Sequence, residues 1–249
     1  MAKKRRHKRG QAQRVLPVDV APREGWGLAL EVGGVTQSVS VPESSKSLET
    51  GDDAPDAPDA ATQPGPGGGY WGLMLPEDCP SRALLLGLGG GTVAHLLARR
   101  SPTAQIIGVE HDAAVLALAR DRFGLADLER QERLTIIHAD AFAWVAGQAA
   151  DMSSDRSDRY DLICLDLFEG GRLAQGALAT LFLRQVAALL APQGTLAVNL
   201  MVTGRTPEQL HRLRRVFIVT RELRLRGNLV VHLRLPTTEE PLEELPVEE

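Results

Sequence analysis

No run of 18 or more apolar residues occurs in the 249-residue chain, which argues against a membrane-spanning helix. The basic start (Lys3, Lys4, Arg5, Arg6, Lys8, Arg9) leads into residues 11–14 without an apolar segment, so a secretory signal is not expected either. Cysteine is scarce: Cys79 and Cys164 stand far apart, which provides neither a disulfide framework nor a C-x-x-C metal or redox pair. The six histidines show no H-x-x-x-H or H-E-x-x-H spacing, so no metal site is expected. A G-x-S-x-G elbow is missing, which removes one large class of serine hydrolases. The expectation is a soluble, cytoplasmic protein with reduced thiols.

Net charge is also small, at −4, but the charges are segregated. Residues 1–14 hold seven Lys/Arg and no acid, residues 43–60 hold six acids and one Lys, and residues 237–249 hold six acids and no base. The remaining body is neutral, so bulk charge does not identify a substrate. Five parts follow: a basic disordered tail (1–25), a β-hairpin appendage (26–42), a flexible Pro/Gly/Asp-rich linker (43–69), an α/β domain (70–236) and an acidic tail (237–249). The hairpin reading rests on two period-2 apolar runs flanking Gly33-Gly34, since glycines take the positive φ of a tight turn. The linker reading rests on a composition that buries too little apolar surface to offset its ordering entropy.

From residue 81 the pattern alternates strands with helices. Strands are expected at 82–88, 105–110, 134–139, 160–168, 194–202, 216–220 and 228–235. Helices are expected at 92–100, 112–122 and 141–149, before residue 190 and near 207–214. Near-continuous apolar strands separated by helices indicate a doubly wound, mainly parallel, Rossmann-like α/β sheet covered on both faces. Its ligand crevice should lie at the C-terminal ends of the strands.

Chemistry concentrates at those ends. Gly87-Leu88-Gly89-Gly90-Gly91-Thr92 links the first strand to a helix, and glycines there let the backbone pass close to a ligand with the helix N-terminal amides aimed at it. Glu110 closes the next strand, where a carboxylate can accept hydrogen bonds from both ribose hydroxyls. The dinucleotide fingerprint would need glycine at Thr92, and no Walker lysine follows. Gly87, Gly89 and Gly91 instead make the G-x-G-x-G of sulfonium-nucleoside binders. Asp140 ends the third strand, where its carboxylate and the Ala141 amide are placed either to read an adenine edge or, in the case of Asp140, to cap the next helix.

These residues, with the segments LEVGGVTQSV, GYWGLML, GVEHDAAVLALAR, RLTIIHADAF, YDLICLDLF and LLAPQGTLAVNL, resemble the spermidine synthase (polyamine aminopropyltransferase) family. That family lies within the class I S-adenosylmethionine-dependent methyltransferase fold. The resemblance implies a transferase of polyamine biosynthesis that uses S-adenosylmethionine or its decarboxylated form, with a small-molecule amine as acceptor. From hydropathy and charge, no membrane partner is expected, and nucleic acid would meet only the basic tail; pairing into a homodimer is left open. The glycine loop and Glu110 would hold the nucleoside, Asp140 the adenine, and Gln37 would reach the cofactor. Asp166 would face the acceptor, with Glu169 completing the family's D-x-x-D spacing, and Tyr70 would be the active-site tyrosine. Two positions depart from the family. Gly89 stands where its glycine motif carries an aspartate, and Gly72 where Y-x-E carries a glutamate. Methyl transfer to a small molecule or protein, and a non-catalytic nucleoside-binding protein, are the alternatives.

Overall fold

The computed structural model describes residues 17–23, 27–32, 35–40, 69–151 and 159–237. The turn glycines Gly33 and Gly34, the linker up to residue 68 and most of both tails lie outside the described residues.

Strands β1 (Val18–Arg23), β2 (Gly27–Val32) and β3 (Val35–Val39) form an antiparallel sheet in that order. The expected hairpin is the β2–β3 pair. β1 corrects the reading of residues 1–25 as a disordered tail: Val18 and Val20 pair across from Val32 and Leu30. Its Pro22 is tolerated on an edge strand.

A 3-10 turn (Tyr70–Met74) precedes the main unit. There follow β4 (Arg82–Leu86), α1 (Thr92–Arg100), β5 (Gln105–Glu110), α2 (Ala113–Arg122), α3 (Leu125–Arg130), β6 (Leu134–His138) and α4 (Ala141–Asp151). The chain continues through β7 (Tyr160–Leu165), a small hairpin of β8 (Phe168–Glu169) and β9 (Arg172–Leu173), α5 (Thr180–Leu189), β10 (Leu190–Met201), α6 (Thr206–Arg214), β11 (Ile218–Leu225) and β12 (Asn228–Arg234). The seven-stranded sheet has the order β11-β12-β10-β7-β4-β5-β6. β10, β7, β4, β5 and β6 run parallel, and β12 is antiparallel to both β10 and β11. The mainly parallel, doubly wound sheet is therefore borne out, while α3 and the β8–β9 hairpin were not anticipated.

Each central strand buries both faces. Leu84, Leu86, Ile163 and Leu165 pack with α4, α5 and α6 on one side, and Ala83, Leu85, Leu162 and Cys164 with α1, α2, α3 and the 3-10 turn on the other. Register then aligns the strand ends. Leu86 pairs with Val109 on one side and Leu165 on the other, Val198 pairs with Leu165, and Glu110 with His138. One residue further on, Glu110, Gly87, Asp166 and Asn199 thus follow in a row along the C-terminal edge. The chain reverses its winding direction between β4 and β7, the position where such sheets open a ligand crevice.

The hairpin sheet is fastened to that edge. Leu30, fully buried, packs against Val115 and Phe123. Thr92 Oγ1 accepts from the Val39 amide at 2.9 Å and donates to the Val39 carbonyl at 2.8 Å. Both contacts are buried, so Thr92→Val strands two backbone groups without partners. At about 1–3 kcal/mol for each unsatisfied group, the variant is expected to lose about 2–6 kcal/mol of stability in chemical denaturation, with loss of exchange protection at the Val39 amide.

Candidate functional site

A cavity of about 710 Å³ opens at the strand ends, within the range that encloses a small organic ligand. Of the residues singled out in the sequence, Gln37, Gly87, Gly89, Glu110, Asp140, Ala141, Asp166 and Glu169 all line it. Gly91 and Tyr70 do not. Gly91 packs under the loop against Leu125, and Tyr70 touches the cavity's Asp166 from behind. Among the described residues no cluster of metal-binding side chains occurs, and no helix is long and apolar enough to cross a membrane. Cys79 and Cys164 are free thiols.

The glycine loop differs in detail from its expected role. The amides of Gly87 and Leu88 donate to the Val109 carbonyl (3.0 and 3.2 Å), and Gly91 donates to Leu88 (3.0 Å). Gly89 donates to Glu110 Oε2 (3.0 Å) and Gly90 to Ser38 Oγ (2.8 Å). All five amides are satisfied by protein, so these five do not form the open nest of N–H groups that grips a phosphate. The glycines answer to protein neighbours as well. At Gly87, where φ is +86°, a Cβ would stand 2.3 Å from the Asp166 carbonyl oxygen; at Gly90 it would stand 2.7 Å from Ser38 Cβ.

Glu110 is 8% exposed. Burial pushes its proton affinity up, but hydrogen bonding with His111 and the amides of Asp112 and Gly89 outweighs this and holds the carboxyl below its ordinary value. Its Oε1 accepts from the backbone amides of His111 (2.9 Å) and Asp112 (3.0 Å), and His111 Nδ1 lies 3.1 Å away. That contact leads the causes that raise the His111 imidazole above its usual value. Asp112 caps α2 through the Ala114 amide (2.8 Å). Asp140 caps α4 through the Ala143 amide (2.8 Å) while also lining the cavity.

On the opposite wall, Asp166 Oδ2 accepts from the Tyr70 hydroxyl at 2.7 Å and Oδ1 from Asn199 Nδ2 at 2.9 Å. Burial raises its proton affinity, and the two donors oppose that rise. Tyr70 is raised well above the usual phenol value, first by burial and then by the Asp166 charge. Its turn is tied to the sheet by His232 Nε2 on the Leu73 carbonyl (2.7 Å) and Cys164 Sγ on that of Met74 (3.8 Å). Ser38, Asn199 and Asn228 were not singled out in the sequence, and Thr92 was noted there only as a departure from the dinucleotide fingerprint. Asn199 alone carried a signal there, as a lone amide inside the apolar strand LAVNL.

No family model matches the chain. A polyamine aminopropyltransferase of Vibrio vulnificus is 29% identical over 126 residues, a match that spans 51% of this chain and 40% of that protein. The crystal structure of spermidine synthase with the transition-state analogue AdoDATO superposes with a TM-score of 0.61, covering 90% of this chain and 72% of that one at 15% identity. The chain has the class I methyltransferase fold, and its sequence is similar to polyamine aminopropyltransferases over about half of its length. Human methyltransferase-like protein 13 in complex with SAH shares this fold at a TM-score of 0.56 and 25% identity, covering 65% of this chain and 75% of that one.

Glu110→Ala removes the acceptor of three loop amides and a charged wall of the cavity. Its affinity for an adenine nucleoside is expected to fall by about 1.5–3 kcal/mol, read by calorimetry. Because the folded-state value of Glu110 is depressed, its contribution to stability is complete above the ordinary carboxylate range and lost as pH falls through the folded value. Acid denaturation of the variant should accordingly lack that component.

Proposed function

We propose that the protein is a transferase that moves an alkyl group from a sulfonium nucleoside, S-adenosylmethionine or its decarboxylated form, to an amine. The observation that carries this reading is the chemistry of the cavity wall. Among the described residues Glu110, Asp112, Asp140, Asp166 and Glu169 line it, together with His111 and His138 but no Lys or Arg. Such a wall suits cationic ligands, and the internally satisfied loop amides suit a nucleoside without phosphates. When bound, the nucleoside supplies a carbon activated by its positive sulfur.

The protein's part is to hold and deprotonate the nucleophile. An alkylamine with a pKa of about 10.4 is almost wholly ammonium at neutral pH. Ionised Asp166 attracts that ammonium, and its raised proton affinity suits it to accept the proton as the amine attacks, an effect worth about 10²- to 10⁴-fold. Its placement at a strand end beside the glycine loop fixes its distance from the nucleoside through rigid elements. Gln37 borders the nucleoside from the hairpin, and Glu169 extends the acidic wall toward the acceptor.

Aminopropyl transfer is the leading form of this chemistry, in line with the relatives' names. Methyl transfer is favoured by one specific observation. A Cβ at Gly89 (φ +53°) would stand 2.9 Å from Ser38 Oγ, the atom that receives the Gly90 amide. The packing thus opposes an acidic side chain at that position. Mass spectrometry of the products, with either sulfonium nucleoside and a panel of amines, separates the forms. Methylthioadenosine marks aminopropyl transfer and S-adenosylhomocysteine marks methylation; tight nucleoside binding with neither product would leave a binding protein. Asp166→Asn is expected to keep nucleoside affinity and the fold while slowing turnover by about 10²-fold or more. Wild-type rates with the true acceptor would remove Asp166 from the mechanism.

A further inference from the structure

Asp166 is held by a side chain that is itself held from outside the cavity. Asn199 is 1% exposed in an otherwise apolar stretch of β10, with its Nδ2 on Asp166 Oδ1 at 2.9 Å. Its Oδ1 accepts from Asn228 Nδ2, also at 2.9 Å. Asn228 opens β12, is not part of the cavity wall, and its Nδ2 also contacts Met201 Sδ at 3.6 Å. An amide has a donating and an accepting end, so the end that Asn228 presents decides which end of Asn199 meets the carboxylate.

We propose that Asn199 and Asn228 form an amide relay that sets the proton affinity of Asp166 from behind the sheet edge, with Asn199 as a positioning residue. The proposal rests on the reading of Asp166 as the group that takes the amine's proton. With Nδ2 toward Asp166, Asn199 stabilises the ionised carboxylate. Reversed, it presents an oxygen that only a protonated carboxyl can satisfy, and Asp166 would hold its proton at pH values where it has to accept one.

Other groups around Asp166 leave the amide as the adjustable contact. Tyr70, from the 3-10 turn, and Cys164, two residues earlier on β7, are both pushed up by burial and by the Asp166 charge, and stay protonated and neutral. Gly87 from the β4 loop brings only backbone. Glu169 of β8 is exposed, and His232 of β12 is engaged with the Leu73 carbonyl.

The test is Asn228→Asp in the full chain. A carboxylate at 228 cannot donate, so Asn199 turns its Nδ2 outward and its oxygen toward Asp166. The midpoint of Asp166, followed without substrate by its ¹³Cγ shift and assigned with Asp166→Asn, should rise by about one to two pH units. Asn199→Leu, which removes the donor, should raise it too, and adding Asn228→Asp to that background should have no further effect. A midpoint in Asn228→Asp unchanged from wild type overturns the relay. So does a rise that persists in the Asn199→Leu background or collapses in 1 M salt, where the Debye length is about 3 Å, since either marks simple charge repulsion. If Asn199→Leu does not fold, Asn199→Ala supplies the background without the amide. In turnover, the acidic limb of the rate profile of Asn228→Asp should move with the carboxyl. A carboxyl that moves while the limb stays put upholds the relay and overturns the role of Asp166.

Discussion

The need to satisfy every amide of the loop after β4 governs the architecture around the cavity. Residues 87–91 cross the sheet edge under three neighbours, and their amides are taken by the Val109 carbonyl, by Leu88, by Glu110 and by Ser38. A buried amide left without a partner costs about as much as a lost hydrogen bond. Each acceptor is therefore a structural tie, and Leu88, Val109 and Glu110 are walls of the site as well. Through these ties the end of β5 and the N-terminal hairpin are fixed to the loop, and the cavity gains a floor whose shape does not depend on a ligand.

The two acids on either side of that floor are driven apart in proton affinity. Both are pushed upward by burial, but Glu110 receives enough hydrogen bonds to end below its ordinary value, whereas Asp166 does not. Environment alone thus gives two carboxylates on one sheet edge different affinities for a proton. Glu110 is suited to stay charged and hold its neighbours in place, and Asp166 is suited to exchange a proton.

Much of this was legible in the order of residues. The strand at 105–110 and the helix at 92–100 fall where apolar runs and the glycine loop put them, and all the residues chosen for the site except Gly91 and Tyr70 line one cavity, at which the C-terminal ends of the central strands meet. What escaped was short or non-local. α3 is six residues long, too short for a helical period to show, and β1 is disguised by Pro22 on its free edge. Ser38 meets Gly90 across 52 residues and Asn199 meets Asp166 across 33; no local pattern announces such pairs. The glycines were read for ligand approach, yet four of them are dictated by the side chain or backbone that each faces.

The contact between Gly89 and Ser38 also constrains the paths by which this site can change. Installing an acidic side chain at 89 first meets the Ser38 hydroxyl. Shortening Ser38 to make room first deprives the Gly90 amide of its acceptor. Each single step is costly, and only the two together, with a new acceptor for residue 90, restore a sound loop. Positions 38 and 89 are 51 residues apart in sequence but constrain each other in space, so what can stand in the glycine loop is limited by a residue on the appended hairpin.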